Sequence, residues 1–348
     1  MGINVAITGL QATDNPAPGI GVIRCLKHPD GWDGKIIGLA YDVYDTGIYD
    51  TGLLDHTFLI PYPNQGSKQV LERLLYIHSQ VRIDVIFPNL DSELALYQKI
   101  EKELNEHGIK LFIPSKKAVH SRTKANLTTF CEDADILTPK TVVIRESGQF
   151  STAVEEIGLP VMVKGVFYDA EKCRTVSEAE TAFQKMRVKW GMPIILQEVI
   201  KGEEFDVCCV AGKESELLGA VAIRKTGLTD KGKAWSAVTI KNDELHNLSK
   251  KVLKKINWTG PCELEFLQEK STKKLFLLEI NPRFPAWIYV CTGADQNLPK
   301  LIVDLAFGHT VKSLPRAKSG VIFVRHATDL VCSLDYLEHL TISGELHY

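Results

Sequence analysis

Residues Gly260 to Arg283 read GPCELEFLQEKSTKKLFLLEINPR, in which two runs of alternating carboxylate and apolar residues flank a polar, lysine-rich break. A period of two is typical of a half-buried strand, and two such runs around a polar turn predict a β-hairpin. If the strands fold back about Thr272, Glu265 lies opposite Glu279, and one face carries three carboxylates and an amide. The other pairs in this register are Glu263 with Asn281, Leu264 with Ile280, and Phe266 with Leu278.

The acidic face of this hairpin predicts a bound cation. Like charges that lie opposite each other destabilise a sheet, and an unpaired buried carboxylate is costly or has a raised pKa. Oxygen ligands on a rigid hairpin, too few for a full cage, suit Mg²⁺, which takes its remaining ligands from waters and substrate phosphates. Arg283 leaves the strand end on the same side, where its planar fork could hold a phosphate oxygen. An exposed hairpin with a solvated acidic face fits the same pattern.

The stretch GPCELEFL followed by LFLLEINPRF resembles the metal-binding hairpin of the ATP-grasp superfamily. The similarity is to the branch that includes carbamoyl-phosphate synthase, biotin carboxylase and many carboxylate–amine ligases. This resemblance implies that Glu265, Glu279 and Asn281 are Mg²⁺ ligands and that Arg283 lies near the phosphates. It also implies that ATP and Mg²⁺ are the cofactors.

Composition limits the class of protein. The 348 residues are 45% hydrophobic and 24% charged, which is ordinary for a globular chain with two or three packed units. The net charge of −2 gives no general attraction to nucleic acid or to an anionic membrane. No apolar stretch is long enough to span a membrane, and MGINVAITGL lacks the pattern of a signal peptide, so we expect a cytoplasmic protein. The eight scattered cysteines, without a CxxC pair, predict reduced thiols.

The first 115 residues predict a doubly wound parallel sheet. Short apolar strands alternate with helical patterns, in the order NVAITG, VIRCLKH, IIGLAY, HTFLIPYP, a helix over 68–80, IDVIFPNL, a second long helix and KLFIP. Ligands of such sheets bind beyond the carboxyl ends of the strands, where Asn89, Asp91, Glu93 and the PAPGIG loop are expected to lie. Asp91 and Glu93 could instead cap the following helix. The absence of GxGxxG argues against a nicotinamide-dependent oxidoreductase.

The resemblance also assigns nucleotide-binding residues. Lys124 and Lys164 match the two lysines of the family, the second of which contacts the α- and β-phosphates. The run IILQEVIKGEEFDVCCV matches the adenine hinge, in which Glu198 offers a backbone carbonyl, Ile200 a backbone amide, and Glu204 its carboxylate to the ribose hydroxyls. A carboxylate suits two hydroxyl donors, and an extended backbone can pair with the edge of a base.

Two cationic segments flank these positions. Relatives follow the second lysine with a glycine-rich flap, whereas this chain has VFYDAEKCRT, in which Lys172 or Arg174 could supply charge instead. Further along, Arg224 and Lys225 end a predicted strand, and two more lysines follow in the loop, Lys231 and Lys233. This segment could stabilise the charge of a transferring phosphoryl group. It could also be a solvated loop.

Taken with the resemblance, these patterns predict an α/β chain in three parts. Residues 1–115 form a pre-ATP-grasp domain with a doubly wound parallel sheet, and a two-lobed ATP-grasp α+β domain follows, with its small lobe at 116–197 and its large lobe at 198–348. The expected activity is that of an ADP-forming ligase that makes an acylphosphate from a small-molecule or peptide carboxylate, for attack by an amine or a similar nucleophile. The alternative is a non-catalytic nucleotide-binding regulatory or accessory protein. The oligomeric state stays open, with a homodimer common among relatives.

Overall fold

The computed structural model describes residues 2–13, 15–29, 31–165, 169–229, 232 and 234–348. The chain divides into two compact units, and each is built from separate stretches of sequence. The first unit comprises residues 1–116, 206–263 and 281–348, and the second comprises 117–205 and 264–280. The three-part division expected from the sequence stays a prediction.

The amino-terminal part of the first unit contains a five-stranded sheet with the order β15-β3-β2-β1-β4. Three of its pairings join parallel strands from the first hundred residues, and β15 adds an antiparallel edge from the chain's last residues. The strands are β1 (Val5–Ile7), β2 (Ile36–Ala40), β3 (His56–Leu59), β4 (Val85–Phe87) and β15 (Glu345–His347). The predicted parallel sheet is therefore confirmed.

Helices cover both faces of this sheet, because the strands are apolar on both sides. Separate buried clusters lie around Ile7 and Ile23 and around Ile37 and Leu74. The helices of this region are α1 (Gly19–Lys27), α2 (Ser67–Gln80) and α3 (Leu94–Glu106). The prediction of a fifth parallel strand at KLFIP was wrong, since only Lys110 forms an isolated bridge there, with Val85.

A six-stranded sheet has the order β13-β12-β9-β10-β11-β14. Its strands are β9 (Gly202–Ala211), β10 (Leu217–Leu228), β11 (Ala234–Ile240), β12 (Gly260–Glu269), β13 (Leu275–Asn281) and β14 (Ile322–Val324). The helices between and after these strands are α8 (Asp243–Ile256), α9 (Tyr289–Gly293), α10 (Leu298–Ala306) and α11 (Leu334–Ser343). Asn242 begins α8 by accepting a hydrogen bond from the Leu245 amide, as an N-cap residue does.

The predicted hairpin is confirmed, since β12 and β13 are neighbours in this sheet. Its apolar face differs from the prediction at one position: Leu277 is completely buried, whereas Leu278 is half-buried. Leu278 and Glu279 are successive half-buried residues, so burial along β13 does not follow strict alternation here. Ile280, the next residue, is buried as predicted.

The second unit contains a four-stranded sheet with the order β5-β8-β6-β7, in which the three pairings are antiparallel. The strands are β5 (Thr141–Ile144), β6 (Val161–Gly165), β7 (Ala170–Cys173) and β8 (Ile194–Glu198). The helices of this unit are α4 (Lys116–Ser121), α5 (Leu127–Asp133), α6 (Phe150–Ile157) and α7 (Val176–Trp190). The predicted α/β class, with a parallel sheet followed by antiparallel sheets, is therefore confirmed.

None of the helices in the described part of the chain is both long enough and apolar enough to cross a membrane.

Candidate nucleotide and metal site

Lys164 lies at the end of β6 in the second unit, where alternation turns it away from the apolar core of this sheet. Its Nζ donates to Oε1 of Gln197 on the paired strand β8 across 2.6 Å. Gln197 in turn donates through Nε2 to the Thr141 hydroxyl across 3.0 Å. This chain of hydrogen bonds fixes the lysine in one position.

The charges around Lys164 come from several parts of the second unit. Burial is the main factor and lowers the pKa of this ammonium group, and the Lys124 charge lowers it further. The carboxylates of Glu279, Glu265 and Glu204 act in the opposite direction. These four predicted site residues of the unit therefore lie within electrostatic range of Lys164.

The predicted adenine hinge follows directly after β8. Glu198 ends that strand, and its backbone amide donates to the Lys140 carbonyl across 2.9 Å. The Glu198 carboxylate accepts from the Lys140 amide across 2.7 Å, so both main chain and side chain hold the hinge. Ile200 lies between β8 and β9, outside regular structure, and is half-buried. Its main chain is therefore not committed to a strand ladder.

In the first unit, Glu263 is the centre of a buried network. This side chain is only 6% exposed. Its Oε1 accepts from the Trp287 indole across 2.7 Å, and its Oε2 accepts from Asn281 Nδ2 across 3.1 Å. An amide that donates through Nδ2 has Oδ1 as its only metal-binding atom, and this hydrogen bond determines where that oxygen points. The network therefore fixes the direction of the Asn281 side-chain oxygen.

Arg283 belongs to the same network. Its Nη1 lies 3.3 Å from Oε2 of Glu263 and donates to the Phe284 carbonyl across 3.1 Å, while its Nε lies 3.1 Å from Oδ1 of Asp91. Two carboxylates therefore hold the guanidinium in place. Asp91 thus pairs with Arg283, and its expected place at a functional crevice stays a prediction.

Glu93, by contrast, is a capping residue. Its carboxylate accepts from the backbone amides of Asn89 and Leu90, across 2.6 and 2.9 Å, and also from the hydroxyls of Thr8 and Tyr41. The side chain is completely buried, and this burial raises its pKa to about 7. Of the two roles that the sequence allows for this residue, the structure supports capping.

The predicted catalytic cations of β10 differ in environment. Lys225 is almost fully buried, with its Nζ 3.1 Å from Oδ1 of Asp206 on β9, whose side chain is 4% exposed. Arg224, the preceding residue, points to the opposite side and is exposed. Lys231 and Lys233 lie outside the described residues.

No group of three or more histidine, cysteine, aspartate or glutamate side chains within the described ranges could hold a metal ion. The predicted ligand set is of another kind, since it combines two carboxylates with one amide. The two carboxylates, Glu265 and Glu279, are half-buried, and Asn281 follows Glu279 by two residues on β13. Glu279 and Asn281 share a face of the strand, because side chains two residues apart point the same way. The three side chains offer oxygen donors, which suit Mg²⁺.

Sequence reasoning missed three partners of these groups: Gln197 for Lys164, Trp287 for Glu263, and Asp206 for Lys225. Asp206 carried a signal, because a carboxylate within the apolar run FDVCCV requires a cationic partner. The partner itself could not be identified from that run.

Residues 191–330 match a family model described as "ATP-grasp in the biosynthetic pathway with Ter operon". The carbamoyl phosphate synthase large chain of Caldanaerobacter subterraneus subsp. tengcongensis is 23% identical over 236 residues, which cover 62% of this chain and 21% of the relative. The chain thus spans about a fifth of the length of this relative.

Solved structures share the fold. The biotin carboxylase–β-γ-ATP complex from Campylobacter jejuni has a TM-score of 0.70 at 15% identity, covering 92% of this chain and 74% of that one. The L-amino acid ligase from Bacillus licheniformis has a TM-score of 0.64 at 15% identity, covering 89% and 75% of the two chains.

Proposed function

We propose, on the premise that this chain is an ATP-grasp protein, that it is an ATP- and Mg²⁺-dependent ligase. A substrate carboxylate oxygen attacks the γ-phosphorus, the bond to the β-phosphate oxygen breaks, and ADP leaves. An amine or similar nucleophile then attacks the acyl carbon of the acylphosphate, and phosphate departs as the new bond forms. The observation that carries this proposal is the fixed Lys164 ammonium, which Gln197 holds within range of three carboxylates.

For the nucleotide, we assign Lys124 and Lys164 to the phosphates. Burial disfavours the charged form of Lys164, so a phosphate oxygen would offset that cost. Glu204 would accept the ribose hydroxyls, and Glu198 and Ile200 would offer main-chain groups to adenine. The half-buried connector at Ile200, outside the strand ladders, supports this assignment.

For the metal, we assign Glu265, Glu279 and Asn281. The donor set fits Mg²⁺, because all three residues offer oxygen and because the Glu263 carboxylate orients the Asn281 amide. Bound Mg²⁺ would supply charge neutralisation at the phosphates.

For phosphoryl transfer, we assign Arg283, Lys225 and Arg224. Catalysis of this kind consists largely of positioning and charge stabilisation, so fixed cations suffice. Arg283 meets this requirement, since Asp91 and Glu263 hold its guanidinium. Lys225 is likewise fixed by Asp206.

The test of this function is ATP consumption with Mg²⁺ across pools of carboxylic acids and amines, with ADP and condensed products resolved by mass. Small-molecule or peptide acids and amines are the expected substrates. Glu279→Gln should abolish turnover and weaken Mn²⁺ binding in the presence of ADP, because it removes a ligand charge at nearly constant volume. Glu269→Gln, at the turn end of the same hairpin, is the matched control. Unchanged turnover in Glu279→Gln would remove the hairpin from the mechanism.

A second candidate is a nucleotide-binding accessory protein without ligase activity. It is favoured by the sequence after Lys164, where VFYDAEKCRT lacks the glycines of the flap found in relatives. Residues 166–168 of this segment lie outside the described residues. Tight Mg·ATP binding without turnover across every substrate pool would favour this candidate over the ligase.

We infer a cytoplasmic protein that acts without nucleic acid or membrane partners, and its oligomeric state stays open, with a homodimer as one option. Light scattering of the purified chain tests the dimer, and cell fractionation tests the location.

A further inference from the structure

Arg325 follows β14 within the run VIFVRHATDL, and the proposed ligase function assigns it no role. Its backbone amide donates to the Trp235 carbonyl across 2.8 Å, which continues the pairing of β14 with β11. Its guanidinium lies over the Phe323 ring, 5.9 Å from the centroid. The strand pairing and the ring contact together fix the base of the side chain.

The guanidinium binds only carbonyl oxygens among the described residues. Nη1 donates to Ala234 across 3.3 Å and Nη2 donates to Ala286 across 3.2 Å. A guanidinium has five N–H donors, so these two bonds leave Nε–H and one N–H on each terminal nitrogen. Nε–H and a neighbouring Nη–H form the fork that matches the two oxygens of a carboxylate.

Arg325 also differs from the other half-buried arginines of the first unit. Arg73 lies 3.1 Å from Glu345, and Arg283 pairs with Asp91 and Glu263. No aspartate or glutamate in the described part of this unit pairs with Arg325, and burial alone lowers the pKa of its side chain. A partly desolvated cation without a carboxylate is costly, and a bound anion would offset that cost.

Arg325 contacts the same loop as Arg283, which is assigned to phosphoryl transfer. Its Nη2 binds the carbonyl of Ala286, and Nη1 of Arg283 binds the carbonyl of Phe284 in the same loop. Carbonyls two residues apart along a chain are separated by at most about 7 Å. One short loop therefore fixes two guanidiniums, one assigned to phosphoryl transfer and one without an assigned ligand.

We propose that Arg325 binds a carboxylate of the acyl substrate through Nε–H and a terminal N–H, and so selects acids over their neutral analogues. This inference rests on the proposed ligase function. It assigns Arg325 to substrate binding and not to nucleotide binding, so its removal should leave the affinity for ATP unchanged.

The test measures binding without nucleotide, by calorimetry, using acetate, pyruvate, succinate and the twenty common amino acids, with the corresponding amides as neutral probes. We expect at least one acid to bind the wild type. Its affinity should fall at least tenfold in Arg325→Met and less in Arg325→Lys, which keeps the charge without the fork. Arg316→Met removes an exposed arginine that pairs with Asp243 and should bind the acid as the wild type does. The amides should bind all four proteins equally weakly.

Thermal unfolding and ADP affinity verify that each variant is folded, and Arg325→Lys replaces Arg325→Met in the comparison if the latter does not fold. The proposal is overturned if an acid binds wild type and variant within twofold, or if no acid of the panel binds the wild type. Because the measurement needs no turnover, an Arg325-dependent acid affinity would stand even if the ATP assay showed no ligase activity.

Discussion

The Trp287 indole nitrogen donates to Oε1 of Glu263 across 2.7 Å, although 24 residues separate the two side chains along the chain. The same carboxylate accepts from Asn281 and contacts Arg283. A single buried acid thus orients one proposed metal ligand and one proposed catalytic cation. Glu263 itself is assigned neither role.

Glu263→Gln should therefore impair the reaction by misplacing its neighbours. The variant loses the charge that attracts Arg283, and its amide must present an N–H group to one of the present donors. We expect stability to fall by roughly 1–3 kcal/mol and kcat to fall more than KM for ATP rises. Denaturant unfolding and steady-state kinetics measure the two effects. Wild-type kcat in a folded Glu263→Gln protein would show that the network has no positioning role.

Lys164→Met should weaken nucleotide binding. The substitution removes one charged hydrogen-bond donor to the phosphates, a loss on the order of 1–3 kcal/mol, or about 5- to 150-fold in Kd. Calorimetry with Mg·ADP measures it. The matched control is Lys185→Met, which removes an exposed lysine that pairs with Glu171 in the same unit. Equal affinities in the two variants would overturn the assignment of Lys164.

Variants of the buried pair of Lys225 and Asp206 can distinguish a role in stability from a role in catalysis. Removing one partner leaves an uncompensated charge, so Lys225→Met and Asp206→Leu should each destabilise the fold by about 3–5 kcal/mol. The double variant replaces both charges by apolar groups and should recover most of this loss. It should nevertheless remain inactive if Lys225 stabilises the transferring phosphoryl group. Full turnover by the double variant would reduce the pair to a structural role.

Glu93 should make stability depend on pH. Burial raises its pKa to about 7 from an ordinary 4.5, so between these values the folded chain binds a proton that the unfolded chain releases. Its contribution is fully present below pH 4.5 and is lost as the pH rises through 7. In Glu93→Gln the amide mimics the protonated acid, so this part of the pH dependence should vanish. Urea unfolding at several pH values compares the two proteins, and identical pH profiles would contradict the prediction.

Local patterns predicted the secondary structure well where a single periodicity applied. The alternation in ELEF and LLEIN correctly predicted the hairpin, and the apolar runs near the amino terminus correctly predicted a parallel sheet. The prediction at KLFIP was wrong because the pairing of a segment depends on the strand beside it. KLFIP has strand composition, but only Lys110 pairs with Val85, and β15 from the end of the chain occupies the opposite edge next to β3. Leu278 was assigned to the apolar face by strict alternation, but it is only half-buried, and residue types alone do not give the extent of burial.

The sequence by itself determined the kinds of groups at the site. Paired carboxylates, an amide and lysines at strand ends are readable because side-chain direction in a strand repeats every two residues. Only the tertiary structure decided their partners. Glu263 bonds to Trp287, Lys225 pairs with Asp206, and Arg283 reaches Asp91 almost two hundred residues earlier in the chain. Such contacts depend on strand order and loop path, which bring distant residues together and which no local period encodes.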